Sequence, residues 1–315
     1  MTTLGAPTST RPAPAGEAPR GTGLIHRVSA KWRSPWRPPY VLAGITIAYL
    51  FWSLAPVLIA ALFSFNSGRS RSVWQGFSLR WYLTDPDLSV AHDPSLRTAL
   101  VHTIVLGVLT TLVAVPLGVA FALGLDRWHG RLPSGANFTM LLSFVIPEIT
   151  LAVALLYMIT QLATPFTLGT TAQVVGLVTF QLSYPVVIVR ARLLTIGKQY
   201  EEAARDLGAS AVGALRRVLL PMLAPAVFAS AVLVFADVID DFVLVRYLSS
   251  DASTETTSIK IYNTARGAPT PALNALATLM LVASLAVILL GWWVFRRLTR
   301  GEQAGGGLEA FAGQV

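Results

Sequence analysis

The sequence has no cysteine and few charged side chains: among its 315 residues, Asp, Glu, Lys and Arg together make up 13%. A typical soluble domain has roughly 25%. Without cysteine, disulfide bonds, thiolate catalysis and cysteine-ligated metal are excluded. The chain is also poor in histidine, with four widely separated residues, His26, His92, His102 and His129. Because these form no metal-ligand spacing, we expect no metal and no cofactor, and we disfavour a membrane-embedded enzyme.

Acidic residues are in the minority, and the formal net charge is +8. A basic balance of this kind is compatible with nucleic-acid binding. The Lys and Arg residues, however, lie in loops and tails beside long apolar runs, which is the arrangement that orients a membrane protein. We therefore expect the lipid bilayer as a partner and no nucleic acid.

Apolar residues are abundant, at 54% with a mean hydropathy of +0.60. Six charge-poor runs cover approximately residues 40–63, 98–125, 138–162, 172–189, 222–245 and 272–295. Each is near or above the length of about 20 residues that lets a helix cross a bilayer, and backbone groups there must be hydrogen-bonded within the segment. The sequence thus predicts an all-α membrane protein with six transmembrane helices. Pro116, Pro147 and Pro185 lie inside three of the runs and predict kinks or local unwinding.

The regions outside the apolar runs indicate domain limits and orientation. Residues 1–39 are rich in Pro, Ala, Gly and Arg, which predicts a disordered tail that stays attached. We expect the membrane domain at 40–297 and a second tail at 298–315. If the amino terminus is inside the cell, 17 of the 24 Lys and Arg residues fall on the cytoplasmic side. This bias predicts that both termini and the loop at 198–221 are cytoplasmic.

The 198–221 loop contains the most informative motif of the chain. It includes Glu202-Ala203-Ala204, reaches a glycine at Gly208 and ends at Pro221. Small side chains let another surface approach the backbone, Gly208 allows a turn with positive φ, and Pro221 ends or starts a helix. The motif predicts a short helix, a bend and a second helix that docks a soluble partner. The alternative is an ordinary amphipathic hairpin.

This spacing resembles the characteristic loop of ABC-importer permeases: Glu-Ala-Ala, three residues, Gly, nine residues, an aliphatic residue, one residue and Leu-Pro, all matched here with Val218 as the aliphatic residue. The resemblance implies the type I importer permease (MetI-like) fold, a bacterial inner-membrane location and a cytoplasmic ATPase dimer that receives the loop. It also implies a second permease subunit, forming a heterodimer, and an extracytoplasmic substrate-binding protein. The implied ATPase-coupling residues are Glu202, Ala203, Ala204, Gly208, Leu220 and Pro221.

The chain has no phosphate-binding loop of its own. Near Gly197-Lys198, Arg192 stands where the first glycine of G-x-x-x-x-G-K would be, and Gln199 replaces the Ser or Thr. We therefore expect a transport subunit that is not an enzyme and that depends on a separate ATPase.

Four acidic residues fall within the apolar runs. Asp237, Asp240 and Asp241 are spaced i, i+3 and i+4, which places three carboxylates on one helix face. Glu148 directly follows Pro147 in the third run. An acid at mid-membrane costs about 2.5–3.5 kcal/mol, so such residues are typical of an aqueous cavity or a subunit contact. We expect a path for a cationic solute; the alternatives are a structural network and, for Glu148, a helix-boundary or interhelical hydrogen bond.

A second resemblance covers approximately residues 40–297. It is carried by the sequences SFNS (64–67), WQGF (74–77), DD (240–241), SIKIY (258–262) and PALNALAT (271–278). These are similar to the spermidine/putrescine permease group, which implies import of polyamines or similar organic cations. Asp237, Val238 and Arg246 depart from the group's usual pattern and keep another solute open, such as an opine or an amino-acid derivative. A proton-driven secondary transporter is a further alternative.

Four aromatic residues follow the first apolar run: Trp74, Phe77, Trp81 and Tyr82. Aromatic rings can cage an ammonium group, and they also form belts at the membrane interface. We favour the belt.

Overall fold

The computed structural model describes residues 40–70, 73–128, 131–162, 165–267 and 270–312. The chain divides into two compact units, one that ends at Ala55 and one that begins at Pro56. In the first unit the described residues form a single helical stretch, which is the start of a helix that runs to Phe63. The tail predicted for 1–39 lies outside the described residues.

The described residues are almost entirely helical, which confirms the predicted all-α class. In chain order these ranges contain the α-helices α1 (Tyr40–Phe63), α2 (Pro94–Arg127), α3 (Arg131–Val145), α4 (Glu148–Gln161), α5 (Thr170–Gln181), α6 (Ser183–Ile196), α7 (Gln199–Asp206), α8 (Ala211–Ala214), α9 (Leu220–Asp240), α10 (Val243–Leu248), α11 (Thr257–Arg266) and α12 (Pro271–Ala312). There are also π-helical turns at Arg80–Thr84 and Leu215–Leu219, and a 3₁₀ turn at Ala252–Thr254.

Within the described chain, five helical segments are long and apolar enough to cross a membrane: Tyr40–Phe63, Pro94–Arg127, Thr170–Ile196, Ala211–Asp240 and Pro271–Arg297. They correspond to five of the six predicted runs.

The third predicted run, 138–162, is instead divided between α3 and α4, which have 15 and 14 residues. The break falls at Ile146–Pro147, because proline cannot donate the N–H that would continue the helix. The interruption predicted at Pro147 is therefore confirmed, and it divides the run into two shorter helices.

The two other prolines differ in effect. Pro116 lies inside α2 without interrupting it. Pro185 lies just inside α6, and the helix is interrupted at Leu182, between α5 and α6. Because Pro185 has no N–H, the carbonyl of Gln181 lacks its usual donor four residues later. Leu182 keeps helical dihedral angles, with φ −54° and ψ −32°, so the effect of Pro185 is the loss of one helical hydrogen bond and the backbone does not unwind there.

The fifth apolar run also ends earlier than predicted. Helix α9 stops at Asp240, and Asp241 has an extended conformation, with φ −58° and ψ 131°. The chain becomes helical again at Val243, in α10. The prediction that Asp237, Asp240 and Asp241 share one face of a continuous helix is therefore wrong, because Asp241 lies past the helix end.

Helices α2, α6 and α9 pack against one another, and glycines on α2 permit their close approach. A Cβ on Gly118 would lie 2.6 Å from the ring of Pro185 on α6. One on Gly107 would lie 2.9 Å from the ring of Phe235 on α9. Each distance is shorter than a normal contact, so a larger residue at either position would force the helices apart.

The segment between α1 and α2 packs on the start of α12. Trp81 is fully buried in a cluster with Leu276, and its Nε1 donates a hydrogen bond to the Asn66 carbonyl over 2.6 Å. The interfacial belt predicted for Trp81 is therefore wrong, since this side chain is an anchor of the fold. Trp74 and Phe77 are exposed, and for them the belt stays a prediction.

Candidate functional site

The 198–221 loop folds as a helix, a tight turn and a second helix, as predicted. After α7 the chain turns at Gly208, whose φ is +90°. A Cβ at this position would meet no atom within 4 Å. It is therefore the backbone conformation, and not crowding, that requires glycine here.

Short-range hydrogen bonds hold this turn. The N–H of Gly208 donates to the Arg205 carbonyl over 2.9 Å, and that of Ala209 donates to the Ala204 carbonyl over 3.0 Å. These bonds pair the last carbonyls of α7. Ser210 caps α8, because its hydroxyl accepts a hydrogen bond from the N–H of Gly213 over 3.1 Å. The shape of the loop is thus set by its own residues.

Helix α8 continues through the π-helical turn Leu215–Leu219 into α9, and Pro221 lies in the first turn of α9. Leu219 and Leu223 are buried against α6, whereas Leu220, which the motif singled out, is half-buried. A π-helical turn contains more residues than an α-helical turn. The residues that this segment buries are therefore shifted along the sequence from those that an α-helical period predicts.

Most of the motif is accessible on the surface of the loop. Glu202, Ala203 and Gly208 are exposed, and Ala204 is half-buried. Leu207, which the motif did not single out, is 90% exposed. Its signal in the sequence is a lone leucine directly before the turn glycine. The loop thus presents an aliphatic side chain at its bend, next to the small residues that allow close contact.

The structure brings acids from different elements together; we call Glu148, Asp237, Asp240 and Asp241 the acid cluster. The carboxyl groups of Glu148 and Asp241 lie within hydrogen-bonding reach of each other. The N–H of Leu244 donates to Oε1 of Glu148 over 3.4 Å, and that of Val245 donates to Oδ1 of Asp241 over 3.3 Å. The first turn of α10 therefore holds both carboxylates with otherwise unpaired backbone donors.

Asp237 is exposed, and a buried glutamine holds its carboxylate. Gln181 is fully buried at the end of α5, and its Nε2 donates to Oδ2 of Asp237 over 2.6 Å. The other polar atom of this amide, Oε1, has no hydrogen-bond partner among the described residues. Sequence reasoning missed Gln181; a glutamine inside an apolar run is the signal that could have found it.

Asp240 is exposed at the end of α9, directly before Asp241 and one helical turn after Asp237. In the described ranges, the two ion pairs are Arg80–Asp85 and Arg127–Glu201. Neither of these pairs involves the acid cluster. No group of three or more acids or histidines in these ranges is arranged to hold a metal ion.

Comparison with known families gives a match over residues 114–301. The family is described as "Binding-protein-dependent transport system inner membrane component". The matched interval includes the 198–221 loop and all members of the acid cluster.

Two relatives from Escherichia coli (strain K12) extend the similarity to most of the chain. The "Putrescine transport system permease protein PotI" is 33% identical over 272 residues, which cover 84% of this chain and 92% of that protein. The "Spermidine/putrescine transport system permease protein PotC" is 34% identical over 258 residues, covering 81% and 92%.

Solved structures support the fold alone, because their sequence identities are low. A bacterial ABC transporter involved in the import of the acidic polysaccharide alginate contains a chain with a TM-score of 0.70 at 16% identity, covering 88% of this chain and 99% of that one. A chain of the inward-facing MetNI methionine ABC transporter has a TM-score of 0.53 at 20% identity, covering 64% and 94%. The helices are thus arranged as in ABC importer permeases.

Proposed function

This chain belongs to the family of binding-protein-dependent transport system inner membrane components, and we propose that it is the permease subunit of an ATP-driven importer for polyamines. The permease supplies the path through the membrane, and a separate ATPase supplies the energy. The acid cluster supports the choice of solute, and the 198–221 loop supports the ATPase partner.

The observation that carries the solute assignment is the convergence of carboxylates. Glu148 begins α4, Asp237 lies on α9, and Asp241 precedes α10, yet all three are close enough to interact. Polyamine amines resemble that of lysine, whose pKa is about 10.4, so they are protonated at neutral pH. Charge-assisted hydrogen bonds to carboxylates are stronger than neutral ones. The names of the two relatives include putrescine or spermidine, which supports the same class of solute.

The ATPase docks on the 198–221 loop. Glu202 makes polar contact with the ATPase surface, and Ala203 and Ala204 permit close packing. Gly208 sets the bend, and Leu207 adds an exposed aliphatic contact at its tip. Leu220 and Pro221 connect the loop to α9.

The complete importer contains two ATPase subunits, a second permease and an extracytoplasmic substrate-binding protein. The second permease is a different chain, so that the pair is a heterodimer, as the resemblance to the spermidine/putrescine permease group supports. Both termini and the 198–221 loop are cytoplasmic, which agrees with the distribution of Lys and Arg.

A single helix joins the two candidate sites, because α9 begins beside the 198–221 loop and ends at the acid cluster. Its 21 residues span about 30 Å at about 1.5 Å per residue. A rigid-body displacement of the loop therefore moves the carboxylates at the far end of the same helix. When ATP binds, the two ATPase subunits close and the solute path opens to the outside of the cell. After ATP hydrolysis the path opens to the cytoplasm again.

Reconstitution of the complete complex in vesicles tests this function with labelled putrescine and spermidine. We expect uptake that requires ATP and the substrate-binding protein. Uptake driven by a pH gradient without ATP would instead indicate a secondary transporter. Competition by an opine or an amino-acid derivative, and not by polyamines, would assign another solute.

Variants separate the two sites. Glu202→Lys and Gly208→Pro are expected to uncouple ATP hydrolysis from uptake while the protein still inserts into the membrane. The double variant Asp240→Asn/Asp241→Asn is expected to reduce polyamine uptake while ATP hydrolysis persists. Transport kinetics identical to those of the wild type in the double variant would remove these two residues from the path.

A further inference from the structure

A bidentate ion pair connects α7 to the end of α2. Arg127 is the last residue of α2, and Glu201 lies in the first turn of α7. The Nη2 atom of Arg127 donates to both carboxylate oxygens of Glu201, over 2.9 and 2.8 Å. The two residues are 74 positions apart in the sequence.

Both ends of this pair are favourably placed. A negative side chain in the first turn of a helix and a positive one in the last turn each interact well with the helix dipole. The side chains of Arg127 and Glu201 are 39% and 21% exposed, so solvent screens their attraction. Exposed pairs of this kind contribute at most about 1 kcal/mol to stability. Folding therefore does not depend on the pair, although it fixes the orientation of α7.

The pair gives α7 a second connection to the membrane helices. Through the chain, α7 packs on α8 and on the π-helical turn that leads into α9. Through the ion pair, α7 contacts α2, which is a separate helix from α9. Helix α2 packs on α6 and α9, and its Gly107 lies against Phe235, two residues before Asp237. Both routes from the 198–221 loop thus approach the acid cluster.

We propose that Arg127 and Glu201 form a transmission link that carries the displacement of α7 by the ATPase directly to α2. The link rests on the proposed function, because it needs an ATPase at the 198–221 loop. Arg127 and Glu201 are positioning residues: they act by keeping α2 and α9 in step when α7 moves. Without the link, α7 moves α9 alone, and ATP is hydrolysed without a completed transport step.

A charge swap in the assembled complex tests the link. Arg127→Glu and Glu201→Arg are each expected to lower the number of polyamine molecules imported per ATP hydrolysed at least threefold. The double variant Arg127→Glu/Glu201→Arg restores the pair and is expected to recover most of the wild-type ratio. Asp126→Arg is the control for Glu201→Arg, because it makes the same change of charge beside Arg127 without removing either partner, and it should keep the wild-type ratio.

A second measurement uses the absence of cysteine from the chain. In the double variant Arg127→Cys/Glu201→Cys, the two introduced cysteines are the only thiols of the subunit. A short bifunctional maleimide can therefore join them selectively. The double variant should lose coupling before the reaction and regain it afterwards, with unchanged assembly.

The possible outcomes distinguish the link from the proposed function. Single variants with wild-type ratios, or a charge swap that assembles but recovers nothing, would overturn the link alone. A wild-type complex without ATP-dependent uptake would overturn the proposed function and the link together.

Discussion

The amide of Gln181 donates a hydrogen bond from Nε2 to the Asp237 carboxylate over 2.6 Å. The glutamine is fully buried, while the carboxylate is exposed. A buried group thus fixes the direction of a charged group that lies at the surface of the subunit. In the proposed transporter, the orientation of the Asp237 carboxylate therefore depends on Gln181, a buried residue that the solute does not contact.

Removal of this charge should weaken solute uptake. A hydrogen bond to a charged group contributes roughly 1.5–3 kcal/mol, which corresponds to about a 10–100-fold change in affinity. Asp237→Asn is expected to raise the KM for putrescine within that range. Gln181→Leu is expected to have a smaller effect in the same direction, because the carboxylate remains but is no longer fixed. Uptake kinetics in vesicles provide the measurement.

Asp87→Asn is the matched control, because Asp87 is an exposed acid outside the cluster. It should leave KM unchanged. An unchanged KM in Asp237→Asn would exclude this carboxylate from the solute path.

The turn at Gly208 should lose order when glycine is replaced. Gly208→Ala places a side chain at a φ of +90°, and left-handed conformations cost about 1–2 kcal/mol in residues other than glycine. Amide hydrogen exchange in the 198–221 loop is expected to accelerate about 5–30-fold, in proportion to this cost. Gly267→Ala is the control, because Gly267 also follows a helix but has a φ of −92°. Equal exchange in both variants would contradict the role assigned to φ.

The contact between α2 and α6 should not tolerate a methyl group. A Cβ on Gly118 would lie 2.6 Å from one ring atom of Pro185 and 3.3 Å from the backbone oxygen of Leu182. Overpacking of this kind costs about 1–3 kcal/mol. Gly118→Ala is therefore expected to lower the midpoint of thermal unfolding in detergent. Gly124→Ala, on the same helix with no atom within 4 Å of its Cβ, should not, and a shared loss of stability would refute the packing explanation.

Acid should weaken the segment before α2 through Asp85. Its carboxylate accepts hydrogen bonds from the N–H of Leu88 and from Nε of Arg80, over 2.9 and 2.8 Å. The Leu88 bond is the main cause that holds the pKa of Asp85 below its ordinary value of 3.8. A lowered pKa means that the stabilisation is present above that ordinary value and is lost as the pH falls through the pKa of the folded protein.

Thermal unfolding of the wild type and of Asp85→Asn at several pH values checks this sign. The wild type should be the more stable protein at pH 5–8, and the difference should shrink only below pH 4. A difference that is constant down to pH 3, or that grows with acid, would contradict the assignment.

The membrane class and most spans could be predicted from the sequence because the bilayer imposes a simple rule on length and polarity. The bend at Gly208 was equally accessible, since its hydrogen bonds are local. The break after Asp240 could not be predicted from the sequence, because no proline or glycine marks it. There the carboxylate of Asp241 accepts from Val245, and its carbonyl accepts from the hydroxyl of Ser258 over 2.6 Å, and the second contact comes from another helix.

The candidate site divides in the same way. The structure places Glu202, Ala203 and Gly208 at the accessible surface that docking needs, and their contact with an ATPase stays a prediction. The π-helical turn at Leu215–Leu219, which leaves Leu219 more buried than Leu220, could not be predicted, because residue periodicity does not reveal such a turn. Gln181 could not be connected with Asp237, because the two are 56 residues apart and meet only in the folded protein.

The break at Pro147 has a consequence for the medium around the acids. Two helix ends face each other there: the last carbonyls of α3 and the first N–H groups of α4 lack partners within their own helices. Hydrocarbon cannot solvate these groups, so in the proposed transporter we expect water to reach the level of Glu148. A hydrated notch raises the local permittivity and lowers the cost of an ionised carboxylate, and an arriving ammonium group sheds only part of its hydration shell.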